Sequence, residues 1–377
     1  MSVSLAVPSP RLTWSASTLP ASLLTPPAYH FLQAMDTWAL DYFDNILIPL
    51  DNYVTRSPER FITCKDPDYL YQSYYICKKC LEEKGAHMTE MEKLPAPKLM
   101  EIILTSCRGR VDQWVEPFIL LVLQHVEECE TNLFKDLLMK VVAGAFYYNA
   151  PLAVAALQKA GAGALEKFFQ LWFGMLWRKS KRTDKNLHFK RDHDKKLCIL
   201  GISSLFAVPP QSLPTELQNA GQQLMEANLK LLYDLKALRD NDEDSSSEEE
   251  SEEGSDYEEE DDDEPGAEAH KMYGGIGAME SIFGMRRGGE NETESDSEDE
   301  WTDDEEFSSP IDGTDAFVTF ADSILHVQAT DPGRLAAISG ALDDSRRLTL
   351  TQIMEYAEER RKSMAEELAK AQQAAPA

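Results

Sequence analysis

Between Asn241 and Glu264 the chain has no lysine, no arginine and a single residue that a core would want, Tyr257. Other features are scarce across its whole length. No uninterrupted run of eighteen or more apolar residues occurs, which argues against a membrane span read from composition. No Gly-Lys-Ser/Thr phosphate loop is present, and Gly274-Gly275-Ile276-Gly277 follows acid and Tyr273 rather than a strand, so a dinucleotide fold is not indicated. Strand-like alternation is rare, and no Ser, His and Asp stand in a nucleophile context. The sequence therefore reads as a non-enzyme that needs no cofactor. Its six cysteines, Cys64, Cys77, Cys80, Cys107, Cys129 and Cys198, are scattered through apolar segments, as reduced, buried thiols of a cytosolic or nuclear protein would be.

What is abundant is acid, and it is confined to one stretch. The net charge is −29. From Asp240 to Glu306 there are 30 Asp or Glu against Lys271, Arg286 and Arg287, so 27 of those 29 charges belong to that segment and the rest of the chain is nearly neutral. Neighbouring like charges repel by about 1 kcal/mol per pair at a few ångströms in water, and the blocks have almost no apolar surface to offset the entropy of ordering. The segment 240–308 is expected to be a disordered acidic loop. A flexible polyanion concentrates cations around it. Its expected partners are basic proteins such as histones and ribosomal proteins, while direct contact with nucleic acid is disfavoured. The residues expected to carry that contact are Glu248, Glu249, Glu250, Glu258, Glu259, Glu260, Asp261, Asp262, Asp263, Glu264, Glu298, Asp299 and Glu300.

The stretch 36–239 is organised differently. Apolar residues recur at helical spacing: Phe43, Ile46, Leu47 and Leu50 share one face, as do Leu70, Tyr74, Cys77 and Leu81. Asp66 with Pro67 is expected to open a helix, Gly109 to close one, and Asn149 to end another in left-handed geometry just before Pro151. Roughly nine helices of one to two dozen residues result. Several are apolar over more than half their circumference, for example 118–123, and such helices need neighbours on two sides. Stacked antiparallel pairs supply them, which points to an all-α, HEAT-like α-solenoid, with a compact bundle as the other arrangement of the same helices. Helical spacing resumes at 315–328 and 348–370, so 309–377 is expected to be a helical end piece that folds back. Residues 1–35, with prolines at 8, 10, 20, 26 and 27, read as an irregular leader.

Motifs inside these regions have plain readings beside sharper ones. Cys77-Lys-Lys-Cys80 invites zinc, yet only Cys64 and His87 lie near it and Cys77 sits on an apolar stripe, so two structural thiols are expected. His188 and His193 fall in a charged loop with no carboxylate at metal-ligand spacing. The stretch 177–196 holds nine Lys or Arg against three Asp. It reads as a solvated loop, as a dock for the acidic segment, or as a localisation signal. Between the acidic blocks, Met272, Ile276, Met279 and Phe283 could share a helical face, making Met279 and Phe283 a possible apolar anchor. Ser245, Ser246, Ser247, Ser255, Thr293, Ser295 and Ser297 each have an acidic residue three places on, the context acidophilic kinases prefer.

Several blocks are familiar. "YFDNILIPLDNYVT" (42–55), "YYICKKCL" (74–81), "GAFYYN" (144–149), "HDKKLCILG" (193–201), "SPIDGTDAFVTFADSI" (309–324) and "LTQIMEYAEERRKSM" (350–364) resemble the C-terminal region of importin-β (karyopherin-β) family nuclear transport receptors, in the importin-seven/importin-eight branch. The resemblance covers about 36–370. It implies a HEAT-repeat solenoid that moves basic cargo between cytoplasm and nucleus through the pore, with the GTPase Ran and phenylalanine-glycine nucleoporins as partners. Receptors of this branch are several-fold longer, and the arch carrying their main Ran-binding surface has no counterpart here. The expected function is that of the C-terminal part of a nuclear import receptor. A free-standing acidic chaperone for histones or ribosomal proteins is the rival of another class.

Overall fold

The computed structural model describes residues 34–35, 39–66, 68–84, 88–181, 185–248 and 309–374. At Asp41 and along 241–248 and 371–374 only the backbone is described. Every element is helical, and no strand occurs among the described residues beyond the two isolated bridges Lys65–Asp68 and Lys179–Asn186. In chain order the α-helices are α1 Phe43–Arg56, α2 Pro58–Thr63, α3 Tyr69–Glu82, α4 Glu90–Lys93, α5 Pro95–Ser106, α6 Asp112–His125 and α7 Asn132–Lys159. Then come α8 Ala164–Leu176, α9 Asp192–Phe206, α10 Thr215–Asn219, α11 Gly221–Glu248, α12 Ala316–Thr330, α13 Pro332–Ala341 and α14 Asp344–Ala374.

The longer helices stack in two rows. One row runs α1, α5, α7, α9, α12; the other runs α3, α6, α8, α11, α14. From α3 onward the chain alternates between rows, with the main contacts joining neighbours of the first row and helices across the two rows. That is the HEAT-like solenoid expected from the wide apolar faces. Burial follows the pattern: Phe43, Leu47 and Leu50 on α1, and Leu70, Cys77 and Leu81 on α3, are all in the core. Helix α7 is long and apolar enough to cross a membrane by length and composition alone, but most of that window is buried among its neighbours, as in the central helix of a solenoid. Its partner α9 approaches so closely that a Cβ on Gly201 would lie 2.6 Å from the carbonyl oxygen of Ala143. The end piece does fold back, α12 packing on α9 and α14 on α11.

Local details differ from expectation at several points. The cap of α3 is Asp68, whose carboxylate accepts from the Tyr71 amide; it lies two residues beyond the expected Asp66. Asn149 is extended (φ −160°, ψ 95°) rather than left-handed, and its side chain caps the following turn by accepting from Leu152 N. It thereby divides α7 at a kink just before Pro151, as a capping Asn can do without a positive φ. Gly109, by contrast, is left-handed (φ 73°), three residues past the end of α5. The boundary expected at 239/240 falls inside α11, whose backbone stays helical to Glu248. From residue 249 to 308 the acidic loop lies outside the described residues, as do the leader up to residue 33 and the apolar island.

One buried acid gives a pH-dependent expectation. Asp51 on α1 is only 6 % exposed, and burial raises its carboxyl to about 6, with Arg56 pulling the other way. A carboxyl raised in the fold binds its proton more tightly there than in the unfolded chain, so its ionisation costs stability. That cost is absent below about pH 4, grows as pH rises to about 6 and is complete above it. Asp51→Asn is therefore expected to stabilise by about 1–3 kcal/mol at neutral pH and by nothing near pH 4. Urea midpoints at the two pH values check this, and an equal gain at both would remove the cause given.

Candidate functional site

The helix that leads into the acidic segment and the chain that follows it both contact α9 near its start. On the leaving side, Arg239 of α11 pairs with Asp192 (2.6 Å) and lies 5.9 Å from the Phe317 ring centre, while Lys236 lies 5.1 Å over Tyr356 of α14. On the returning side, Lys196 of α9 donates to the carbonyl of Asp312 (3.0 Å), and Ile311 is buried. Asp315 then caps α12 through the amides of Phe317 and Val318 and pairs with Arg360 (3.0 Å). Donating to the Asp315 carboxylate holds the Arg360 guanidinium above its ordinary range. Both roots are thus tied to α9 by charge-assisted bonds, which are stronger than neutral ones.

Just before α9 lies the basic stretch 177–196, and the structure divides it. Lys195 and Lys196 are buried in α9, where burial pulls both ammonium groups below the usual lysine range against the nearby carboxylates. Lys195 donates to the carbonyl of Lys190. Arg178, Lys179, Lys181, Lys190 and Arg191 likewise have partners, although Lys179, Lys181, Lys185 and Lys190 remain exposed. Asn186 bonds Asp234 of α11 (2.9 Å) and accepts from Lys230 (3.2 Å), whose ammonium also lies 5.5 Å from the centre of the Trp177 ring.

Beneath the loop is a buried ionic network. Lys140 of α7 is flanked by Asp194 of α9 (2.7 Å) and Glu101 of α5 (3.6 Å), and Glu101 meets His193 (2.5 Å). The Lys140–Asp194 contact is ionic, since Asp194 Oδ1 makes no directional hydrogen bond. Beside it, His188 Nδ1 is 2.6 Å from Asp136 Oδ1, and the other oxygen of Asp136 accepts from the Phe189 amide (2.9 Å). Burial raises the Asp136 carboxyl, opposed by the His188 hydrogen bond. Phe189 has φ 51°, a left-handed conformation unusual for an aromatic residue, and Asp136 holds it there. His188 and His193 are therefore paired with carboxylates 52 and 92 residues away, and His193 stands in the first turn of α9 rather than in a loop. No local spacing could have disclosed either pair. The loop keeps exposed lysines on its outer side, while His188, Phe189 and His193 tie its end to α5 and α7.

The remaining sequence candidates separate cleanly. Of the acidic residues expected to bind partners, Glu248 ends α11 by its backbone. Glu249, Glu250, Glu258 to Glu264 and Glu298 to Glu300 lie outside the described residues, as do Met279 and Phe283. Cys77 and Cys80 are buried and face the carbonyls of Ala96 (3.5 Å) and Glu92 (3.8 Å). Burial pushes Cys80, Cys107 and Cys129 up to about 12 and Cys77 and Cys198 well above the usual thiol range, so these five hold their protons and are poor nucleophiles. No cluster of three His, Cys, Asp or Glu that could hold a metal occurs among the described residues. Taken together, the site is a pair of fixed roots from which a 27-fold negative segment is displayed.

Comparison with known proteins finds relatives over most of the chain. The chain is 37 % identical over 349 residues to an importin beta-like SAD2 homolog of Arabidopsis thaliana, covering 89 % of this chain and 32 % of the relative. It is 28 % identical over 333 residues to importin-8 of Danio rerio (85 % of this chain, 31 % of the relative). To a probable importin-7 homolog of Dictyostelium discoideum it is 23 % identical over 212 residues, 55 % of this chain. The chain thus spans about a third of the length of the first two relatives, 32 % and 31 %. No family model matches it. No solved structure matches it.

Proposed function

From the chain's kinship with the importin-β family, in the branch of importin-7 and importin-8, we propose that it serves as the C-terminal part of a nuclear import receptor whose acidic segment engages basic cargo. Ribosomal proteins and histones are the proposed cargo class, with Ran and phenylalanine-glycine nucleoporins as the transport partners and shuttling between cytoplasm and nucleus as the setting. The observation that carries the reading is the rooting of the acidic segment. Arg239, on the helix leading into the polyanion, and Asp312, just after it, are both held by α9 of a nearly neutral solenoid, which supports presentation of that charge from a rigid frame. Relatives of this chain carry the name importin, and a rigid frame with a charged strap suits the capture of cationic proteins that must be screened in transit.

The test is a titration of the chain, with and without residues 249–308, against a lysine-rich linker-histone tail. The intact chain is expected to bind with an affinity that drops at least tenfold as salt rises from about 0.05 to 0.2 M, because that range takes the screening length from roughly 14 to 7 Å. The deletion should lose at least tenfold at the lower salt. Equal binding by both forms would end the cargo reading. Capture on phenylalanine-glycine repeats then separates a receptor from an acidic chaperone, which would not take them.

A further inference from the structure

Helix α14 carries its apolar stripe further than the solenoid covers it. Ile353 and Ala357 are buried, but Met364 and Leu368, seven and eleven residues beyond Ala357 on the same face, are 37 % and 61 % exposed. Leu368 is the most exposed large apolar residue among the described ones.

Both ends of the acidic segment come close to this stripe. Helices α11 and α14 run parallel: Glu226 pairs with Arg346 (3.3 Å) and Lys236 lies over Tyr356 (5.1 Å), partners 120 residues apart in each case. At the same offset Glu248, the last residue of α11, is level with Leu368. On the return, Asp315 pairs with Arg360, one turn before Met364.

The sequence between these ends names one stretch that suits an apolar face. Residues 249–308 contain no Leu or Val, and of their ten Met, Ile, Phe, Tyr or Trp residues seven fall within 272–285. The acidic blocks on either side have almost nothing to bury. Around the stripe the exposed Glu366 and Glu367 alternate with Lys362 and Lys370. That mixed surface suits a stretch flanked by Lys271, Arg286 and Arg287, and a run of acid alone would not match it. Length permits the contact, because Met272 and Met285 are each 24 residues from the nearer described end, Glu248 and Ser309. A linker of that length averages about 27 Å and reaches at most about 80 Å. Tethering of this kind supplies a millimolar effective concentration, which a second copy or a client would have to match in solution.

We propose that Met364 and Leu368 on the outer half of α14 take the apolar island of the same chain, residues 272–285, so that the acid is displayed as two shorter loops. The inference does not depend on the cargo reading and holds for either use of the acid.

The experiment is a timed trypsin digestion of the full chain at about 0.5 M salt, where attraction between unlike charges at long range is screened. Mass spectrometry follows cleavage after Arg286 and Arg287, with the synthetic peptide 266–290 as reference. The chain should be cut about tenfold more slowly than the peptide, as a millimolar effective concentration gives to a contact of about 0.1 mM. Met364→Ser/Leu368→Ser should bring the rate to within about twofold of the peptide's. Met279→Ser/Phe283→Ser, measured against a peptide of its own sequence, should do the same, and joining the two pairs should add nothing. Leu368→Gln alone should quicken cleavage about threefold, and it answers the case in which the α14 pair disturbs its helix. Overturning results are parent rates equal to the peptide's, protection that survives in both α14 variants, or rates that rise further when the pairs are joined. Protection that fades on tenfold dilution overturns the proposal too and makes a second copy the occupant.

Discussion

Lys140→Met is expected to destabilise the protein by about 3–5 kcal/mol, because it strips the cation from a buried site and leaves carboxylates facing one another. The side chain of Lys140 is 6 % exposed, with Glu101 and Asp194 on either side and those acids themselves 9 and 10 % exposed. In water such a pair would matter little; here neither acid has comparable access to solvent. His193 can answer for Glu101, but Asp194 has no other cation at ion-pair distance among the described contacts. A cooperative thermal unfolding transition should fall by roughly 6–15 °C, taking about 2–3 °C per kcal/mol for a unit of this size. The charge-neutral triple variant Lys140→Met, Glu101→Gln, Asp194→Asn should recover much of the loss, since replacing a whole buried ionic set costs far less than orphaning part of it. A single variant that melts within 2 °C of the parent, about 1 kcal/mol, would show that water reaches the site and that the network carries no such burden. Because Asp194 lies two residues from Asp192, to which Arg239 is tied, the same variant should also loosen the root of the acidic segment. Protease cleavage between Arg239 and Asp312 should then quicken along with the loss of stability.

How much of this could be read beforehand differs by layer. The period of 3.6 along α1, α3, α7 and α11 was visible because each helix buries a continuous stripe, and width of stripe gave the two-row arrangement. The short α2, α4 and α10 escaped notice because four to six residues hold too few periods to show one. Helix α13 hides for another reason: Gly333, Gly340 and three alanines dilute its apolar pattern, and only Ile338 is buried. The buried network at the root was illegible in principle. Glu101 of α5, Asp136 and Lys140 of α7, and His188 of the loop before α9 are ordinary residues far apart in sequence apart from the α7 pair, and they meet only when the helices stack. Charge read from the sequence marked 177–196 as special, but could not say that Lys195 and Lys196 turn inward. On α3 the sequence places Tyr74 on the core stripe but does not disclose that Tyr71 and Tyr75, one step round the helix, are exposed, since tyrosine is as much at home inside as outside.

Trp172→Ala, at the opposite end of the basic loop, should cost a further about 3–5 kcal/mol by the measure of large-to-small changes in cores. Trp172 is fully buried in α8 and forms the hub of an aromatic cluster. Its ring stacks on Phe146 of α7 (13°, 5.9 Å), and Phe168, Phe169 and Phe173 surround it at 5.6, 5.9 and 6.4 Å. Four rings cannot close over the missing indole without leaving their own contacts, so the cavity term stays large. Trp172→Phe keeps the stack and should cost about 1–2 kcal/mol; the ratio of the two variants reads the cavity rather than the loss of a polar atom. Guanidinium unfolding followed by far-ultraviolet circular dichroism measures both, with tryptophan fluorescence set aside because the variants remove one of six indoles. The consequence reaches the site because α8 ends at Leu176, next to Trp177, whose ring is approached by Lys230. If the hub sets the exit angle of the loop, Trp172→Ala should weaken capture of the lysine-rich tail at low salt even in conditions where the solenoid stays folded, and Trp172→Phe should not. Equal capture by both variants at full helicity would separate the aromatic hub from the display of the acidic segment and confine its role to stability.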